Sequence, residues 1–427
     1  MRARQLLCGL LLFAAPYRAS AQTQPNPVIH WANIVQQSIH NAAAPRSAGT
    51  SEILHTMVHL AVYDAVVAID GTAEPFAAQI PRSASADIKA AVATAAYATA
   101  RARVAPSQRA FLEQEYQRYL AEIPAGWPKA EGVRIGWLSA STMLKLRAND
   151  NFDKVVTYSC ITTPPPVGRF EPDSGCPASP TSPQPVDVKV GQIKPYVLEF
   201  RQFFRPPPPY ALTSEEYATD FNEVRDFGRD TSTFRTAEQT DIAFFWAENP
   251  YVHWNRNLVR LALAYNLDAS DTARLFAMVH TSVSDAIIIG FEAKYDYALW
   301  RPRTSIPRAE EDNNPLTAPD ATWKPLLSVN HPEYPSGHGF WSGALLYAVQ
   351  SFFQSADVNW TLETSKAAVP RVEKTQRSFT SLYTLETQIQ NARVWGGLHY
   401  RSSIDMGELI GDGIALVVLS SHFGRIP

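Results

Sequence analysis

The chain has 427 residues, a formal net charge of −3, and 45% hydrophobic against 19% charged residues. These values fit a globular protein of one large or two ordinary domains and exclude a disordered chain. With no basic excess, a general nucleic-acid binder is also excluded.

In chain order, the first segment reads as a targeting peptide. Arg2 and Arg4 precede the apolar run LLCGLLLFAA, and Ala19-Ser20-Ala21 offers a small-residue cleavage site. Residues 1–21 are therefore set apart as a signal peptide, which implies a secreted or periplasmic protein. The apolar run is short for a spanning helix, and no integral membrane segment is expected in the mature chain. Cleavage removes Cys8 and leaves Cys160 and Cys176. In an oxidising compartment this pair is a disulfide candidate, and two thiols are too few for a metal site.

Residues 22–150 carry apolar positions at three- and four-residue spacing, as in SEILHTMVHLAVYDAVVAI and ADIKAAVATAAYATARARV, and predict helices. Residues 151–212 are dense in proline and cannot be helical. They hold too much Phe, Tyr and Val for a free linker, so an ordered surface excursion tied by the cysteine pair is expected. Helical patterns return over residues 213–427, opening with a predicted capping box of Thr213 and Glu216. Strand signals are scarce, and the fold class is all-α. An internal echo links the halves: Met57-Val58-His59 precedes Asp64-Ala65 by the spacing at which Met278-Val279-His280 precedes Asp285-Ala286. This suggests two related bundles. His59 and His280 lie on Ala/Val-rich faces and read as buried core histidines.

Three segments of the C-terminal half carry chemistry. Lys294 and Arg301 are seven apart, two helical turns, which places both on one helix face, and Pro302 ends that helix. Ser336 and Gly337 open the apolar helix that follows HPEYPSGH. Its free N–H groups and dipole make an anion site. Arg393 and His399 fall on different helical faces, but Gly396-Gly397 permits a chain break that lets them converge. Together with His338, these residues form a cage for a tetrahedral or trigonal-bipyramidal oxyanion.

Lys-x6-Arg-Pro, then Pro-Ser-Gly-His, then Arg-x5-His resembles the three-part signature of vanadium-dependent haloperoxidases and the related type 2 phosphatidic acid and bacterial acid phosphatases. The motifs run from Lys294 to His399. The proline-rich middle, FRPPPP, HWNR and NHPEYPSGH resemble the secreted bacterial haloperoxidase-like branch more loosely, over most of the mature chain. The resemblance implies two four-helix bundles with vanadate as cofactor. Lys294, Arg301, Ser336, Gly337 and Arg393 would bind the equatorial oxygens, and His338 would serve as the acid–base residue. His399 would be the apical vanadium ligand. The implied reaction is oxidation of halide by hydrogen peroxide to hypohalous acid, with a small organic acceptor and no redox change at vanadium. An acid phosphatase with His399 as nucleophile, or an inactive anion-binding relative, are the alternatives. A homo-oligomer is left open.

The family often has Asp four residues after the last His, and Ser403 stands there in this chain. Asp405 is expected to form a capping box with Ser402 instead. The missing carboxylate weakens the phosphatase alternative. His331 is the bromoperoxidase-like residue at a position where chloroperoxidases have Phe, which implies bromide or iodide oxidation, unless it is a plain rim histidine. Trp300, Tyr334, Phe340, Trp341 and His253 read as packing or structural residues. His30, His40, His55 and His422 have no evident partner.

Overall fold

The N-terminal helices are α1 (Pro27–His40), α2 (Ala48–Asp70), α3 (Ile88–Arg103), α4 (Arg109–Ala121) and α5 (Trp127–Leu146). After the proline-rich stretch come α6 (Glu215–Phe227), α7 (Ala237–Phe245), α8 (Pro250–Ala264), α9 (Ala269–Tyr297) and the short α10 (Pro302–Ser305). The chain continues through α11 (Gly337–Phe353), an antiparallel pair β1 (Trp360–Glu363) and β2 (Gln376–Phe379), α12 (Leu382–Trp395) and α13 (Arg401–Ser421). This computed structural model describes residues 26–42, 46–160, 162–163, 165–176 and 184–426. The expected signal peptide and its cleavage site lie outside them. The fold is all-α, with the β1–β2 pair as its one two-stranded sheet among the described residues.

α2 and α9 are the central helices. α2 packs on α3, α5 and α9, and α9 packs on α2, α11 and α13. Because neighbours cover them on every side, apolar residues occupy almost every face rather than one stripe. Both are long and apolar enough to cross a membrane by length and composition, but they are buried inside the protein. One continuous hydrophobic core runs from Val28 to Phe423.

The internal echo has a structural counterpart. His59 and His280 are both buried and stack, ring centroids 4.6 Å apart and 8° from parallel. Five residues on, each aspartate performs the same task in its own half. Asp64 accepts the backbone N–H groups of Phe76, Ala77 and Ala78 at 2.6–3.0 Å. Asp285 accepts those of Tyr196, Val197 and Leu198 at 2.6–3.0 Å. Each carboxylate thus pins a passing loop onto a central helix. Burial raises both aspartates, Asp64 to about 6, while the N–H donors pull the other way.

The proline-rich segment is ordered in its described part. It carries the Cys160–Cys176 disulfide, with a Cα–Cα distance of 5.9 Å, which points to an oxidising compartment. Its path is fixed by Phe170 N–H on the Ala298 carbonyl and Trp300 N–H on the Gly168 carbonyl. Asp187 accepts from Ser47, Gly49 and Thr50 at the start of α2.

Two local expectations fail. Ser214, not Thr213, caps α6, accepting from Tyr217 N–H at 3.1 Å. The cause is the Leu212–Ser214 turn, held by the Asn314 amide, which delays the helix by one residue. α9 stops at Tyr297 in a left-handed Ala298, so Arg301 is not on its face but in extended backbone ahead of α10.

One buried and two partly buried N–H groups depend on each pinning aspartate, and an unpaired buried donor costs about 1–3 kcal/mol. Asp285→Ala should lower folding stability by roughly 2–4 kcal/mol after local relaxation, with Asp64→Ala in the same range. Urea unfolding monitored by circular dichroism measures both.

Candidate active site

Lys294, on the last turn of α9, is fully buried, and its ammonium donates to the carbonyls of Pro332 (3.1 Å), Glu333 (3.1 Å) and Pro335. The rings of Phe291 and Phe340 lie 5.9 and 6.0 Å from the nitrogen. An ammonium has three N–H donors, and three carbonyls take them. Lys294 therefore offers the site a positive charge rather than a free donor.

Arg301 reaches the same loop by another path. Its Nε donates to the His331 carbonyl, Nη1 to the Leu398 carbonyl (2.8 Å), and Nη2 to the Pro332 carbonyl (3.2 Å) and His331 Nδ1 (2.9 Å). His331 Nδ1 also lies 3.0 Å from the Pro332 carbonyl, so this ring nitrogen stands between a guanidinium donor and a carbonyl acceptor. His331 is thus a ligand of Arg301 as well as a cavity residue, more than a rim position.

Arg393 has most left to give. Its Nη1 donates to the Trp246 carbonyl at 2.9 Å, and its buried Nε has no partner. The break after α12 that the sequence predicts is present. Gly397 has φ +70°, and a Cβ there would stand 2.4 Å from the Gly228 carbonyl. The chain turns at that point and brings His399 back beside Arg393.

Ser336 caps α11 through its hydroxyl, which accepts from Gly339 N–H at 3.3 Å. α13 crosses close above it. A Cβ at Gly407 would be 2.7 Å from the Ser336 carbonyl. Gly337 and His338 begin the helix and open into a cavity of about 350 Å³, together with His331, Arg393 and His399. Val186, Pro250, Phe291, Val329 and Trp341 form its apolar wall. Trp341 is therefore a wall residue, while Trp300, Tyr334 and Phe340 pack in the interior as expected. His253 is buried on Glu248, 3.4 Å from its carboxylate.

Glu333 was not anticipated. It is fully buried, and its Oε1 accepts from His399 Nδ1 (2.8 Å) and Tyr400 N–H (3.0 Å). His399 is thereby held with the proton on Nδ1 and the lone pair on Nε2. Ser403 does not take this place; its hydroxyl donates to the Glu333 carbonyl at 3.4 Å. Nor does Asp405 cap α13, which begins at Arg401 with no side-chain cap. Ser402 is drawn off by Asp220, which accepts from its N–H at 3.1 Å and from its hydroxyl. The signal in the sequence was an acidic residue set between two motif histidines in a loop otherwise of Pro, Tyr, Ser and Gly.

The electrostatics are lopsided. Lys294 and Arg301 are opposed by the buried carboxylate of Glu333, and the buried Asp187 lines the same cavity. Burial lowers Lys294, Arg301 and Arg393, and Arg301 lowers the other two further. Burial, then Arg301, Lys294 and Arg393, holds His399 well below an ordinary histidine. Burial, then Arg393 and His253, does the same to His338. Both rings are neutral at pH 7. Burial lifts Glu333 to about 7 against the opposing pull of Arg301 and Lys294. Excess buried positive charge and an orphaned guanidinium N–H fit a bound oxyanion.

Residues 274–424, which contain every cage residue, match the family model described as the VCPO second helical-bundle domain. A vanadium chloroperoxidase from Curvularia inaequalis is 26% identical over 203 residues, 39% of this chain and 32% of that protein. The crystal structure titled as the first bacterial vanadium-dependent iodoperoxidase superposes with a TM-score of 0.76 at 22% identity, over 96% of this chain and 98% of that one. A holo-type bacterial vanadium-dependent chloroperoxidase gives 0.71 at 18% identity, over 91% and 94%.

Arg393→Lys keeps the charge and loses the fork. A hydrogen bond to a charged group is worth about 1.5–3 kcal/mol, so inorganic phosphate should bind roughly ten- to a hundredfold more weakly. Isothermal titration calorimetry of the variant beside the parent chain checks this.

Proposed function

We propose, from the match of residues 274–424 to the model of the VCPO second helical-bundle domain, that the protein is a secreted or periplasmic vanadate-dependent haloperoxidase. The observation that carries the reading is that this one segment holds the complete cage from Lys294 to His399. On the same reading the chain divides into helical bundles over 22–150 and 213–427, joined by the proline-rich stretch.

Each residue has a task its surroundings suit. Arg393, the Gly337 N–H and the remaining N–H of Arg301 would hold the oxygens of a bound vanadate. Ser336 shapes the helix terminus, and Lys294 adds charge through its carbonyl-bound ammonium. His399 would offer Nε2 to a bound vanadate because Glu333 keeps the ring proton on Nδ1. His338, neutral and open to the cavity, would hold or release a proton beside it. Vanadate bound there would supply a Lewis-acidic centre that takes up hydrogen peroxide and makes it electrophilic toward halide. The apolar wall favours bromide or iodide over chloride, since the larger anions give up hydration more cheaply on entering. The same residues exclude bulk water from the oxidant.

The alternative, a phosphomonoesterase with His399 as nucleophile, is favoured by one observation. The carboxylate that seemed missing at Ser403 is supplied by Glu333, so His399 is oriented and activated as a nucleophile requires.

The two readings separate in one experiment. Purified protein is assayed for phenol red bromination with peroxide and bromide, before and after vanadate, beside hydrolysis of p-nitrophenyl phosphate. Vanadate-dependent bromination is the expected result. Hydrolysis without vanadate, and no bromination with it, overturns the proposal.

Glu333→Gln gives a second test. It removes negative charge from a cationic cage, so phosphate, which makes no bond to the imidazole, should bind as well or better. Vanadate, which uses His399 Nε2, should bind about 10–100-fold more weakly, the usual loss for a group behind a ligand. In the parent chain vanadate affinity should fall as pH drops through about 7, where the Glu333 carboxylate is protonated. In Glu333→Gln that dependence should vanish. Vanadate titrations from pH 6 to 8 measure both.

A further inference from the structure

A second polar cluster lies where α2 meets α9, and none of it lines the cavity described above. His55 and His59 are one turn apart on α2, with Nε2 atoms 3.0 Å from each other. His280 comes from α9, its ring centroid 4.6 Å from that of His59 and 5.1 Å from that of His55. One ring nitrogen from each of the three lies within 4.8 Å of the other two. The three rings are 0–2% exposed.

Hydrogen bonding leaves this group incomplete. His55 Nδ1, His59 Nδ1 and His280 Nε2 are buried without a partner, and so is the hydroxyl of Tyr251, whose ring packs edge-on against His55. Unpaired polar atoms at this density in one core position call for an unseen ion or water. Glu52, one turn before His55 and 2% exposed, accepts from His280 Nδ1 at 2.5 Å. Asn255 stands 3.5 Å from its other oxygen. Glu52 thus fixes the His280 tautomer and frees Nε2 as a lone-pair donor. A carboxylate behind a histidine whose far nitrogen is open is the arrangement that orients imidazole ligands on a metal.

We propose that His55, His59 and His280, backed by Glu52, form a buried structural site for one divalent transition-metal ion of the zinc class that clamps α2 to α9. Three imidazoles suit Zn²⁺ and its neighbours rather than Ca²⁺ or Mg²⁺, which take oxygen ligands. With Tyr251 beside the rings, a fourth position has an oxygen at hand. A site this enclosed is loaded during folding. The proposal is independent of the oxyanion cage.

The test is elemental analysis of the purified full chain after dialysis against EDTA, with about one zinc-class ion per chain expected. X-ray absorption should place nitrogen neighbours at about 2.0–2.1 Å. His399→Ala should keep the ion, which separates this site from the cage. His59→Gln and His280→Gln should lose it, and Glu52→Gln should bind it about 10–100-fold more weakly. Should a variant fail to fold, the parent chain decides. Unfolded in chelator and refolded with zinc, it should show a higher unfolding midpoint than when refolded without. With cobalt(II) it should show the visible bands of a four-coordinate ion. Fewer than about 0.1 ion per chain with no zinc-dependent midpoint overturns the proposal. Retention of the ion by both His59→Gln and His280→Gln overturns it too.

Discussion

Burying three cations around one small cavity is the constraint that organises the C-terminal half. Lys294, Arg301 and Arg393 are each 3% exposed or less, and Glu333 opposes Lys294 and Arg301. Removing such charges from water is costly unless hydrogen bonds replace the lost hydration. Here the replacement comes mostly from backbone carbonyls of Trp246, His331, Pro332, Glu333, Pro335 and Leu398. Carbonyls stabilise the cations without neutralising them. The net charge therefore stays available for an anion, which carboxylate partners would have cancelled.

That constraint also explains why the three cations are not equivalent. A lysine with three carbonyls has spent its donors, an arginine with four bonds has nearly done so, and an arginine with one has not. The residue types alone suggest three similar contacts to an oxyanion. The surroundings divide the work into charge from Lys294, loop anchoring from Arg301 and direct recognition from Arg393.

Much of this was legible in the sequence, because it rests on local chemistry. Ser336 had to cap an apolar helix, Gly396-Gly397 had to break α12, and Cys160 with Cys176 was the pair able to close a short loop. The all-α class followed from helical periodicity. What failed was each inference that extended one element past the point where tertiary contacts take over. α9 was carried through to Arg301, yet it ends at Tyr297, where Ala298 turns left-handed and its carbonyl is taken by Phe170. Ser402 and Asp405 have the spacing of a capping box, yet Asp220 from α6 claims Ser402. Glu333 was invisible for a related reason. The partner of His399 was expected four residues further along the chain, at Ser403, whereas it comes from a loop 66 residues earlier.

The loop from His331 to His338 is consequently the element on which the site turns. Its first residue holds Arg301 through a ring nitrogen and a carbonyl. Its next carbonyls hold Lys294, and its glutamate sets the tautomer of His399. Its serine caps α11, and its last residue faces the cavity. These contacts share one short stretch of backbone, so they cannot be adjusted singly. A shift that loosened Lys294 would also turn Glu333 and release His399 Nδ1. Such coupling suits a cage that must hold a multiply charged anion in one orientation. It also joins His331 to His399 through Arg301 and Glu333. A substitution at His331 therefore acts on the whole cage through its effect on Arg301.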